Sequence, residues 1–423
     1  QAIDEYEDTS GIDASASTNE ERDGSAGAYY YSGTVIPTAT QDADDTGIDG
    51  DYSWYKWTDT AATGSYSYSA TVNHTWLVVG GGGGGYIKGG AGAGGYRTGT
   101  TLSLTGGNAY TVTVGAGGPA DNYSATGDGG DSVLSGTGIT TITSTGGGAG
   151  TGVGNGRDGG SGSGAYNQDY SGGSGNTPSI TQYTAAGETT TVQGYDGGGG
   201  YSDRSTYTAG GGGGGASEVG GSSVTSTAGS GGDGLANNIT GSSVTYAGGG
   251  GGGVDAVGTP GAGGAGGGGA GVNPTGTAGT DGLGGGGGCG ASGGGDGGNG
   301  VVILRRETTA GRSYNDLTLQ STDTTASTAN PDYGELVCLI ENSAGTATLN
   351  TDIKGYVSED SGVTFTQGTF VDEGSWGTNK KIIAFHDLDI SAQSGSSMCY
   401  KITTHNQSIS KITRIYATSL GWR

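Results

Sequence analysis

The stretch HTWLVVGGGGGG, residues 74–85, passes from a run of strand length straight into six glycines, and GGGDGGNGVVILRR, residues 293–306, makes the same passage in reverse. Each flank is apolar or β-branched, and neither carries a helix start signal. Between these two boundaries lie 85 of the chain's 102 glycines. Many gather into runs: Gly80–Gly85, Gly197–Gly200, Gly210–Gly215, Gly248–Gly253, Gly266–Gly269 and Gly284–Gly288. The pieces between alternate like short strands (TTLSLT, AYTVTVG, SSVTYAGG) or are polar and rich in tyrosine (AYNQDYSGG, GYDGGGGYSDRSTYTAGG). Their spacing is irregular, so a fixed-period solenoid is not expected.

Ordering such a segment is costly. Glycine loses more backbone freedom than any other residue, and fixing one backbone costs about 1–2 kcal/mol. Only 30% of the 423 residues are hydrophobic, with three Phe and one Met, so burial of large side chains cannot offset that cost across the glycine-rich part. Either the region is a coil, or the glycines are themselves the packing material. Left-handed threefold helices without Cβ atoms approach one another on every side and exchange N–H···O and Cα–H···O bonds. Runs of nearly equal length, bracketed by strands and turns, favour the packed state. The expected fold is therefore all-β, with a central domain of packed polyglycine II helices and essentially no α-helix. Its expected parts are an acidic extended or β region at 1–71, the polyglycine domain at 72–306 and a small β-sandwich at 307–423. The last is read from seven short runs, among them GELVCLIEN and KKIIAFHDLDI, with turn signals between them.

Charge and composition remove several function classes. The net charge of −24 divides as −12 before residue 80, −9 over 80–300 and −3 after, with no basic patch to neutralise a phosphate backbone, so nucleic acid is not an expected partner. No apolar run approaches the ~20 residues of a membrane span, so no insertion into a membrane is expected. The absence of a strict Gly-X-Y period excludes collagen. The start at Gln1 rather than Met reads as a processed or partial chain. Cys289, Cys338 and Cys399 are too few and scattered for a disulfide scaffold or a zinc site; Cys338 and Cys399, in strand-like runs, either pair or remain buried thiols.

Motifs of catalysis are missing. WLVVGGGGGGYIKGG imitates the strand and glycine turn of a dinucleotide fold, but more glycine stands where a helix should present its N-terminus. There is no P-loop and no nucleophile elbow beside His74, His386 or His405, and Asp387 and Asp389 alternate along a strand-like run. No enzyme activity and no cofactor are expected. In the acid cluster Asp42, Asp44, Asp45, Asp49 and Asp51, the metal candidates are Asp42, Asp44 and Asp49 for calcium, but Ser53 stands where an EF-hand loop needs glutamate.

The order WLVVGGGGGG, GAGAGGYRTG, AYTVTVGAGG, SVTYAGGGGGG and GGNGVVILRR resembles the glycine-rich domain of bacteriophage tail fibre and adhesin proteins. GELVCLIENSAGTATLNTDIKGYVSEDSG and ITRIYATSLGW resemble modules of marine and other environmental phage structural proteins, and DEYEDTSGIDASASTNE near the start looks like the same kind of protein. The resemblance implies a polyglycine sandwich whose connecting loops at one end contact the host surface, on a fibre at the virion surface. Its implied partners are other virion proteins and a host receptor, either an outer-membrane protein or a glycan, with a homo-oligomer, trimeric by analogy, as the assembly. Such loops vary by nature, so candidates are chosen by chemistry: Tyr123, Tyr166, Asn167, Asp169, Tyr170, Tyr195, Tyr201, Asp203, Arg204 and Tyr207. Aromatic rings beside amide, carboxylate and guanidinium groups offer stacking area and hydrogen bonds at small entropic cost. Against this stands tyrosine as plain cover for glycine surfaces. The alternatives to an adhesin are a capsid-decorating or other structural fibre without receptor binding, and a cellular extracellular glycine-rich filament.

Overall fold

The computed structural model describes residues 2–24, 26–31, 34–35, 37–120, 127–204, 206–255, 257–308, 313–327, 330–408 and 410–423. Among them the regular secondary structure is strand, with a 3-10 turn at Thr184–Ala186, and no α-helix is present. The chain forms two compact units, residues 1–36 with 312–423, and residues 37–311.

The first unit is a β-sandwich built from both ends of the chain. Its larger sheet runs in the order Glu20–Asp23, Ala28–Tyr31, Ile412–Trp422, Tyr333–Ala344, Lys380–Asp389, Val371–Ser375, and Ala2–Asp4 also pairs with Ile412–Trp422. The smaller sheet runs Thr318–Gln320, Ser397–Thr404, Ile353–Ser358, Thr366–Gly368. Alternation puts Leu336, Cys338, Ile340, Ile383 and Phe385 of one sheet against Ile353, Val357, Met398, Tyr400 and Ile402 of the other. Tyr6, Ile12 and Tyr29 complete this core, and the Tyr6 hydroxyl lies 2.9 Å from that of Tyr400 and donates to Thr418 Oγ1 at 3.2 Å. The expected 1–71 region is thus divided: residues up to 36 belong to the terminal sandwich, because two buried tyrosine rings and an isoleucine hide in an otherwise acidic segment. Thr34–Val35 and Ser313–Tyr314 pair antiparallel. Cys338 and Cys399 lie in different sheets as free buried thiols, so the pairing alternative is not realised; burial pushes the Cys399 thiol up to about 12.

In the second unit, two five-stranded sheets face each other. One runs Tyr96–Leu104, Val72–Val79, Val301–Glu307, Tyr52–Trp57, Asp45–Asp49; the other Ile142–Ser144, Ser132–Gly136, Ala109–Thr113, Gly64–Tyr68, Ala39–Gln41. Trp57, Tyr66, Tyr68, Trp76, Val78, Leu102, Leu134 and Leu304 share the core between them. The boundary expected at residue 71 therefore cuts through a sheet. Burial lowers the pKa of His74 to about 3, and its neutral ring meets the Tyr66 hydroxyl at 2.8 Å.

The strands Val72–Val79 and Val301–Glu307 join directly onto a glycine lattice. In Gly80–Gly85 the amides of Gly80 and Gly83 donate to Gly95 and Gly92, those of Gly81 and Gly84 to Gly130 and Gly127, and those of Gly82 and Gly85 to Gly298 and Gly295, all at 2.7–2.9 Å. This period of three is that of polyglycine II. The remaining sides are just as close. A Cβ placed on Gly80 or Gly83 would meet Thr145 or Gly148, on Gly81 or Gly84 Ala116 or Pro119, and on Gly82 or Gly85 Gly285 or Gly288, always a carbonyl oxygen at 2.0–2.5 Å. Six neighbouring segments therefore surround one run, with backbone on every side. Residues 210–216 repeat the pattern: 210, 213 and 216 donate to 253, 250 and 247, while 211 and 214 donate to 165 and 162, and 212 and 215 to 221 and 218, at 2.8–3.0 Å.

At the outside of the lattice, where a neighbour is missing, acidic and amide side chains supply the acceptor. Asp128 and Asp131 take the amides of Ala149 and Gly146; Asp296 and Asn299 take those of Ala120 and Gly117; Asn155 and Asp158 take those of Ser171 and Ser174, at 2.6–3.2 Å. Each pair is three residues apart, matching the helical repeat. Much of the acidity of this segment is thus backbone chemistry as well as solubility.

Candidate functional site

The lattice has two different ends. At one, the runs join strands: Val79 to Gly80, Gly95 to Tyr96, Ser144 to Thr145 and Gly300 to Val301. At the other, the runs turn back through loops at 86–88, 151–157, 165–171, 200–209, 222–228, 254–260, 271–276 and 289–294. The shared register places all of these loops at the far end, in pairs such as Ile87 with Gly290, Gly89 with Thr151, Ala209 with Val254 and Thr275 with Gly293.

Most of the sequence candidates fall here, and the structure sorts them. Arg204 donates to Asp169 at 2.5 Å, tying loop 165–171 to the hairpin Tyr201–Ser202/Thr208–Ala209. Both side chains are largely exposed, so this pair fixes a geometry more than it adds stability. Asp203 accepts the amides of Thr206 and Tyr207 at 2.7 and 2.8 Å and closes the hairpin tip, and Asn167 accepts the amide of Asp169 at 3.0 Å. Tyr170 is exposed, while Tyr166, Tyr201 and Tyr207 are half-buried against the loops. Tyr195 is not with them. Its amide donates to Gly215, and six residues at ~3.1 Å put it about 19 Å from Tyr201, toward the strand end. Tyr123 lies outside the described residues; the flanking Ala120 and Gly127 stand at the far end.

Two features escaped the tyrosine-based selection. Val153, Val224, Val257 and Val272 are 61, 63, 68 and 41% exposed, each in a far-end loop. Their signal was present as a lone valine among Gly, Ser, Thr or Asn (TGVGN, SSVTS, AVGT, GVNPT) with no alternation to bury it. The loops carrying three of them are joined: Thr259 donates to Ser226 at 2.8 Å and Asn273 Nδ2 to Asp255 O at 3.0 Å. The second feature is their hub. Lys88, with its side chain only 3% exposed, meets Asp255 at 2.7 Å, and the other carboxylate oxygen of Asp255 accepts the Thr208 amide at 2.8 Å. One ion pair thus fastens loops 86–88, 200–209 and 254–260.

The calcium candidates do not converge. Asp42 accepts the Trp57 indole and the Ser65 amide, Asp44 the amides of Thr58 and Asp59, and Asp49 pairs with Arg305 at 2.8 Å. Burial opposes the charge on Asp42, yet these donors hold its carboxyl below the usual range. Among the described residues no group of three His, Cys, Asp or Glu is placed to hold a metal.

No curated protein and no solved structure matches the chain. The profile of the glycine-rich domain family matches residues 58–307, from the second-unit sheets through the last strand of the lattice. With more than half of its length covered, the chain belongs to the glycine-rich domain family.

Proposed function

We propose that the protein is a structural component of a bacteriophage virion, a tail fibre or adhesin that carries out no catalysis and meets a host-surface receptor through the far-end loops. The observation that supports this reading is a contrast of materials. The lattice interior holds backbone and no side chain larger than those of residues such as Ala91, Ala93, Ser161 and Cys289, while its far end displays Val153, Tyr170, Val224, Val257, Val272 and the Asp169–Arg204 pair on loops of which 86–88, 200–209 and 254–260 are locked through Lys88 and Asp255. A rigid, densely hydrogen-bonded body holds these groups in fixed relation and lowers the entropy lost on binding. Several modest contacts then add through copy number on a virion surface, where other virion proteins anchor the chain. The receptor is an outer-membrane protein or a glycan on this reading.

The test replaces Val153, Val224, Val257 and Val272 together with serine, positions whose exposure spares the fold, and measures adsorption of virions carrying the variant to host cells. Adsorption should fall by about tenfold or more. Unchanged adsorption with the variant incorporated would favour a structural fibre without receptor contact.

A further inference from the structure

The outward side of the larger sheet in the terminal unit carries a second surface. Because Leu336, Cys338, Ile340, Ile383 and Phe385 point into the core, Val337, Leu339, Ile382 and Ala384 face the other way. Cross-strand register aligns Ile3, Ser419, Val337, Ala384 and Val371 in one row, and Ala417, Leu339 and Ile382 in the next. Trp376 joins Ile3, Glu5, Val337, Leu339, Ile382 and Ala417 in lining a mostly apolar groove along these rows. Ile3 is 66%, Trp376 64% and Val371 49% exposed. Apart from Ser419 and the covered Ala384, the side chains of these two contiguous rows are apolar and reach water, which marks an interaction surface rather than scattered surface residues.

The rows to either side differ in charge. One holds the cations Lys380 and Arg414 around Glu341. Lys380 lies 3.5 Å over the Tyr416 ring, whose hydroxyl occupies Glu341 at 2.6 Å, and Arg414 also reaches Asp23 at 3.4 Å. The other holds Glu335 and Glu373 on either side of His386, at 3.2 and 4.0 Å. The apolar centre therefore lies between a flank that presents cations and one that presents a carboxylate pair. Five strands span roughly 24 Å and four rows roughly 27 Å, which gives about 1,300 Å² when two copies are counted, the size of a specific interface.

We propose that this face is a self-association surface, on which two copies of the chain pack sheet against sheet about a two-fold axis lying in the interface and running across the strands. That axis, unlike one along the strands, brings the Lys380 flank of each copy against the Glu335 and Glu373 flank of the other while burying Trp376, Leu339 and Ile382. The interface is isologous, so it closes at two copies.

Sedimentation of the full chain up to about 100 μM tests this. The unsubstituted chain should dimerise. Leu339→Glu and, separately, Trp376→Ser should each weaken the dimer by about tenfold or more, with circular dichroism unchanged because both side chains face water in a single copy. Lys380→Glu should weaken it as well, and mixing that variant with a Glu335→Lys/Glu373→Lys chain should restore a mixed dimer. A chain that stays monomeric, or a dimer indifferent to both Leu339→Glu and Trp376→Ser, overturns the proposal.

Discussion

Gly83→Ala, the addition of one methyl group, is expected to cost the glycine-rich unit more than about 4 kcal/mol, an effect usually reserved for a large core deletion. The new Cβ would stand 2.3 Å from Gly148 O and 2.6 Å from its carbonyl carbon, whereas carbon contacts settle near 3.5–4.0 Å. What it strikes is backbone, so no rotamer change relieves the clash. Moving that segment also disturbs hydrogen bonds shared with its own neighbours, because the lattice interior is close-packed in every direction. Gly199→Ala is the control: the nearest atom to its Cβ is Ser222 Oγ at 3.5 Å, and its amide bond to that oxygen survives the change. It should stay within about 0.5 kcal/mol of the parent. Chemical denaturation of the two variants side by side checks the contrast; equal, small effects would mean that the runs are loosely held.

Deleting residues 1–36 should unfold the terminal sandwich while leaving the glycine-rich unit intact. The deletion removes Tyr6, Ile12 and Tyr29, which are 0, 7 and 2% exposed, and strips the strands that flank Ile412–Trp422. Losing a buried aromatic side chain typically costs about 3–5 kcal/mol, so two of them with an isoleucine and three strands exceed the lower part of the 5–15 kcal/mol that holds a domain together. Calorimetry should show one transition lost and one retained. Two transitions in the shortened chain would place the N-terminal segment outside the cooperative unit.

The lattice was legible because HTWLVV and VVILRR end abruptly in glycine: a strand that stops at a glycine run has nowhere to bury its neighbour except against other backbone. Which runs lie beside which was not legible, since glycine carries no pattern that distinguishes one partner from another. The division of the N-terminal segment was hidden for a different reason. Tyr6, Ile12 and Tyr29 are isolated among acids, and periodicity over a short window cannot reveal a core completed by residues almost 400 positions away. The pairs Asp128/Asp131 and Asp296/Asn299 were readable in principle, as DGGD and DGGN at the threefold repeat, but acidity read as bulk charge concealed their geometry. At the far end, selection by tyrosine found Asp169 and Arg204 together and misplaced Tyr195, which shares a run with Tyr201 but sits at the other end of it. The exposed valines required knowing that the loops share one face.

Amide hydrogen exchange in the native protein tests the central claim most directly. If Gly80–Gly85, Gly210–Gly215 and Gly248–Gly253 are threefold helices enclosed by backbone, their amides should exchange only on global opening of the unit, as slowly as those of the strand Val72–Val79. Exchange of these glycines at the rate of an open coil, with the strand still protected, would contradict the lattice.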